Sequence, residues 1–159
     1  MKRPIAARSS SAREPAYLSV ERDPDNGNQP TDARSRIGNG PWLNARGVLV
    51  ASDLAQLHAK SGDATLFLDE RGERINGQWA GSPAPNQHDI LTGSTSDGRL
   101  MARMTCADWT SSSSALAAQV GHSDGLGGSS AGALASWNSS HASQNCADTA
   151  PRGGAGRIY

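Results

Sequence analysis

Only 22 of the 159 residues are leucine, isoleucine, valine or phenylalanine. So few strong apolar side chains cannot fill a thick core, and a share this low marks a disordered chain when high net charge accompanies it. Here the charges balance, 15 Lys and Arg against 15 Asp and Glu, and four Trp are present. The composition points to a small core anchored on aromatic side chains and set among long irregular loops. Thin cores commonly carry a covalent staple. Zero net charge gives no reason to expect nucleic acid or an anionic membrane as a partner.

The two cysteines, Cys106 and Cys146, stand 40 positions apart, each alone in a polar stretch. Without a C-x-x-C pair, zinc-finger and thioredoxin-like chemistry lack their minimal spacing. A bridge closing a loop of this length stabilises by about 4 kcal/mol in the chain-entropy picture. A disulfide is therefore expected, and with it an oxidising compartment; the competing reading is two free thiols in a reducing one. The basic start, Met1 to Ser9, has no apolar run of the length a secretory signal needs. Gly47 to Ala51 is too short to span a bilayer. A missing upstream region or a misassigned start reconciles export with this beginning.

Turn and cap residues divide the chain. Residues 1–15 read as disordered or non-homologous, and 16–159 as one domain. Dense turn formers make 22–40 a loop. Pro41-Trp42-Leu43 and Val48-Leu49-Val50 predict a hairpin turned at Gly47. Ser52 as N-cap, with Leu54, Leu57 and a terminal Lys60 before Gly62, predicts a helix over 53–60. Leu66-Phe67-Leu68 predicts a strand turned by Asp69 to Gly72. Ile90-Leu91 opens the most ordered stretch, which runs to Trp109. Segment 110–135 is Ser, Ala and Gly and reads as low-complexity. Gly156 to Tyr159 begins a terminal strand. The class is α+β, with short mixed strands, one or two short helices and long loops.

Few residues offer catalytic chemistry. Gly128-Ser129-Ser130-Ala131-Gly132 matches the nucleophile-elbow pattern, but no buried strand precedes it and no His follows Asp148, the one acid downstream of Ser130. Chance in a Ser/Gly-rich run explains the match; a hydrolase using Ser130 with His122 or His141 is the remote alternative. Asp23, Asp25 and Gly27 match a calcium loop only in part, because the glycine and the closing acid are out of register. His58, His88, His122 and His141 have no helical ligand spacing and read as surface or hydrogen-bonded structural residues. No catalytic residue, metal ligand or cofactor is assigned. Asn138-Ser139-Ser140 fits a glycosylation acceptor. Trp109 and Trp137 are expected in the core, while Trp42 and Trp79 are candidates for ligand stacking.

One pattern is more specific. Gly93-Ser94, Gly98-Arg99, Cys106 and Trp109 form G-S-x3-G-R-x6-C-x2-W. This resembles the endostatin domain, the C-terminal module of collagens XV and XVIII, and a group of bacterial endostatin-like surface proteins that includes leptospiral ones. Trp137 to His141, Cys146 and Gly153 to Tyr159 resemble the ending of those proteins. Ala16 to Ser19, Arg36 to Gly38 and the Trp42–Val50 hairpin extend the likeness over residues 16–159. The resemblance implies a C-type-lectin-like fold and pairing of Cys106 with Cys146. It also implies a second bridge whose cysteines, upstream of Ala16 and after Tyr159, are both missing, as in a chain truncated at both ends. Leu91 replaces the family's Trp, and the segment between the cysteines is longer. The N-terminal zinc-binding histidines of vertebrate endostatin and the lectin calcium signatures have no counterpart.

The function expected is a non-catalytic, extracellular, periplasmic or cell-surface adhesion module, its ligand a matrix protein or glycan. The alternative is a structural or degenerate fragment of a larger secreted protein.

Overall fold

The structure, a computed structural model, describes residues 15–127 and 134–159. The N-terminal segment through residue 14 and the Ser130 pattern therefore lie outside the described residues. The fold is α+β, as the sequence predicts: small sheets, a few short helices and long connections.

The first sheet corrects the sequence reading of 22–40 as loop. Strands β1 (Val20–Asp23) and β2 (Gln29–Thr31) pair antiparallel. Their polar connection is itself the cause. The Asp23 carboxylate accepts from Asp25 N–H, Pro24 starts a 3-10 turn, and Gly27 and Asn28 take left-handed φ angles of 62° and 61° that reverse the chain. The four-residue helix α1 (Ala33–Arg36) follows and buries Ala33. The next hairpin occurs where expected, β3 (Trp42–Leu43) against β4 (Leu49–Ala51), with Gly47 at φ 75°. Helix α2 (Leu54–His58) also occurs, but Asp53 rather than Ser52 caps it, accepting from Gln56 N–H at 2.8 Å.

Leu66-Phe67-Leu68 does not form the predicted strand. Asp63 accepts from Thr65, and its carbonyl accepts from Leu66 and Phe67, winding these residues into a turn that drops Phe67 into the core. The central sheet has the order β7-β6-β5-β8: His141–Ala142, Gln119–His122, Asp89–Leu91 and Gly154–Arg157. All pairs are antiparallel except β5 with β8. Strand β6 overturns the low-complexity reading of 110–135. Its four residues, Gln-Val-Gly-His, are all buried. Gly121 is required there, since a Cβ would collide with the Trp137 carbonyl oxygen as that segment crosses the strand.

The core is aromatic. Tyr17, Ala33, Ala51, Leu57, Phe67 and Trp137 are buried together. Phe67 stacks on Trp137 with centroids 5.1 Å apart, and the Trp137 indole N–H donates to the Leu57 carbonyl at 2.8 Å. Truncating such a residue to Ala costs about 3–5 kcal/mol. Trp109, expected in the core, is half-buried; its N–H donates to the Ser19 carbonyl at 2.9 Å.

Cys106 and Cys146 are bridged, with Cα atoms 5.7 Å apart. Cys106 opens one helical turn, Cys106–Trp109, whose four residues all have left-handed φ, from 50° to 64°. That conformation costs about 1–2 kcal/mol per L-residue. The bridge, the Trp109 bond to Ser19 and a bond from Glu21 N–H to the Asp108 carboxylate hold it.

The motif residues have structural places. A Cβ on Gly93 would meet the Trp109 ring at 3.0 Å, and one on Gly98, at φ 81°, would collide with His58 Nε2. The buried Ser94 hydroxyl lies 2.9 Å from that of Ser19. Arg99 pairs with Asp97 at the surface, 2.9 Å.

Candidate functional site

The central sheet assembles residues that are far apart in sequence. In the β5–β6 register Asp89 stands opposite His122, so their side chains share one face. In the β6–β7 register His141 stands opposite Val120, two residues from His122, and joins that face on the diagonal. His88, just before β5, stacks on His122 with centroids 4.1 Å apart, and His141 meets His122 edge-on at 4.8 Å. The Nε2 atoms of His88, His122 and His141 lie 3.5, 3.5 and 3.6 Å from one oxygen of Asp89. The side chains of His88, His122 and Asp89 are 2%, 2% and 1% exposed, and that of His141 is 32% exposed.

The outer nitrogens fix the orientation of these rings. His88 Nδ1 is 2.7 Å from an Asp124 carboxylate oxygen, His122 Nδ1 is 2.5 Å from the Leu126 carbonyl, and His141 Nδ1 is 2.8 Å from the Ala142 carbonyl. Each partner only accepts, so each Nδ1 carries the proton and donates. Asp124 is held as an acceptor. Burial alone would raise its pKa, but bonds from His88, Leu126 N–H and Gln78 N–H outweigh it and keep the group below the ordinary carboxylate value. A neutral ring with its proton on Nδ1 bears a lone pair on Nε2. Three Nε2 atoms converge on one carboxylate.

Neither Asp89 oxygen has a hydrogen-bond partner, and neither has His122 Nε2. Burial pushes the Asp89 carboxyl upward, against the pull of His141 and His88. Burial and the neighbouring His88 push His122 down to about 4. Each group thus resists charging where it sits. A buried polar group left without a partner costs a few kcal/mol.

The sequence names all three histidines but reads them as surface or hydrogen-bonded structural residues. Their Nδ1 bonds fit that reading; the convergence of their Nε2 atoms does not follow from it. The separations from 88 to 122 to 141 follow no local period, and only strand register brings the rings together. The pairs His88-Asp89 and His122-x-Asp124 are the signals the sequence offers. His58 lies elsewhere, with Nε2 accepting from the Tyr17 hydroxyl at 2.7 Å.

A second feature is a cleft of about 630 Å³ beneath the β3–β4 hairpin. Trp42, Val50, Leu66, Phe67, Ile75 and Tyr159 form much of its wall. Leu43, Val48 and Leu49 on the hairpin are 60%, 48% and 51% exposed. The Trp42 indole N–H is spent on the Ile37 carbonyl at 3.1 Å, so the ring offers only its apolar face. Trp79, paired with Trp42 as a stacking candidate, is outside the cleft lining; its N–H donates to Ile75 and Arg74 lies over its ring, 5.2 Å from the centroid.

Asn138 is fully buried, and its amide donates to the Tyr17 hydroxyl and the Thr95 carbonyl, which shuts it off from glycosylation. Asp23 and Asp25 belong to the β1–β2 turn, with Asp23 paired to Arg36 at 2.7 Å. No helix among the described residues is long and apolar enough to cross a membrane. No known family model matches the chain, and neither a curated protein nor a solved structure matches it.

Proposed function

We propose that this chain is a non-catalytic binding module of an extracytoplasmic protein, on an endostatin-like, C-type-lectin-like frame. Its contact face is the β3–β4 hairpin with the cleft beneath it, and its ligand is an extracellular protein that inserts apolar side chains. The observation that carries this reading is the hairpin itself. Leu43, on the wall of an aromatic-floored cleft, stays in solvent, as do Val48 and Leu49 on the same hairpin, in a chain that has few apolar residues to spare. Grouped exposed apolar side chains beside a concavity mark protein-interaction sites. With its N–H spent on Ile37, the Trp42 ring meets a ligand through its apolar face. The Cys106–Cys146 bridge supports an oxidising compartment.

The test is binding of the folded chain to immobilised extracellular-matrix proteins and to a glycan array, beside a Leu43→Ser, Leu49→Ser double variant. Binding to protein spots that the variant loses supports the proposal. Binding confined to glycans, binding that the variant retains, or no binding by the folded wild type would count against it, the last in favour of a fragment with no activity of its own.

A further inference from the structure

We propose that His88, Asp89, His122 and His141 form a site for one divalent transition-metal ion of the zinc class, which clasps β5, β6 and β7 together. The inference is independent of what the hairpin binds. Tetrahedral zinc holds nitrogen and oxygen ligands at about 2.0–2.1 Å, which sets ligand–ligand edges of about 3.3–3.4 Å. The three Nε2 to Asp89 separations, 3.5, 3.5 and 3.6 Å, are close to that edge. Ligand atoms of His88, Asp89 and His122 all lie within 4.8 Å of one another; His141 stands outside that group and reaches it through the same Asp89 oxygen, 3.6 Å away.

A hydrogen-bonded cluster without metal fits less well. A protonated Asp89 would donate to one imidazole and draw that pair to hydrogen-bond distance, below about 3.2 Å. Instead three imidazoles stand at nearly equal, longer separations from one oxygen, and both Asp89 oxygens remain unpartnered. The surroundings are those a metal site requires. Each ring donates its Nδ1 proton to a carboxylate or carbonyl, which fixes the tautomer and aims Nε2 inward. Three imidazoles and one carboxylate suit zinc and its neighbours, whereas calcium and magnesium require a larger set of oxygens. The partial exposure of His141 provides the way in. With the other three ligands buried, the ion's role is to hold the sheet together.

The experiment uses the full chain with its disulfide intact, freed of metal by a chelator and titrated with Zn²⁺ and with Co²⁺. The expected result is one equivalent bound, a cobalt absorption spectrum of the four-coordinate type, and a rise in Tm with zinc. His122→Gln and Asp89→Asn abolish the cobalt spectrum, while Asp124→Asn weakens affinity by about 10–100-fold, the range for a residue that positions a ligand. His141→Gln, at the exposed edge, leaves the fold intact and weakens binding more than Asp124→Asn, so it decides the matter if a buried variant fails to fold. Failure of the folded wild type to take up one equivalent of either metal overturns the proposal. So does affinity unchanged in His141→Gln.

Discussion

Replacing Ala107 with glycine should make this protein more stable. Ala107 is exposed and sits in the left-handed turn at φ 51°, ψ 61°. In that region an L-residue costs about 1–2 kcal/mol relative to ordinary helical backbone, and glycine escapes the penalty. Against this, glycine widens the unfolded ensemble, a cost of about 0.4–1 kcal/mol. No packing is lost, because the methyl group faces solvent. The balance is a gain of about 0.5–1 kcal/mol, which for a chain of this length raises Tm by about 1–4 °C. Urea denaturation with the slope held common to both proteins measures it. Ala55, exposed in the right-handed helix α2, is the internal control; Ala55→Gly should lose about 0.5–1 kcal/mol. A loss at Ala107 equal to that at Ala55 would show that the turn is not left-handed and would refute the reasoning.

Other consequences follow from the same structure. Cys106→Ala with Cys146→Ala opens the 40-residue loop and should cost about 4 kcal/mol by denaturant melting, with wild type under reductant behaving alike. Gly98→Ala places a methyl group against His58 Nε2 and the Tyr17 hydroxyl at positive φ, and should lose about 2–3 kcal/mol from backbone strain and the displaced buried hydrogen bond. His58 has its pKa lowered by burial, with Arg34 also opposing protonation. Its stabilising contribution is complete above the unfolded histidine value of about 6.5 and is lost as pH falls through the lower folded value. His58→Gln, which can still accept from Tyr17, should therefore flatten the acid limb of a stability–pH curve relative to wild type.

Local signals make part of this fold legible. The β3–β4 hairpin and α2 announce themselves through Gly47, cap-forming Ser52 and Asp53, and leucines at helical spacing, all short-range features. The aromatic core can be anticipated because Trp137 and Phe67 are rare large groups in a chain with little else to bury. Strand β6 is not legible, because three of its four buried residues are Gln119, Gly121 and His122. Its stability derives from partners that sequence does not reveal: Ser139 for the Gln119 amide, Leu126 for His122, and the Trp137 backbone over Gly121. The β1–β2 hairpin escapes a sequence reading for the converse reason, since its turn residues spread over most of its length and read as plain loop. The imidazole cluster depends on two strand registers, and a shift of one residue in either would turn His122 or His141 to the opposite face. No spacing rule along the chain could carry that information.

Nitrogen-15 NMR of the four histidine rings tests the convergent Nε2 atoms most directly. In the metal-free protein at neutral pH, His88, His122 and His141 should each carry a proton on Nδ1, with Nε2 bare in His122 as in His58. Adding zinc should shift Nε2 of the first three and leave His58 unchanged. A proton on Nε2 of His122, or zinc that moves none of the three, would contradict the site.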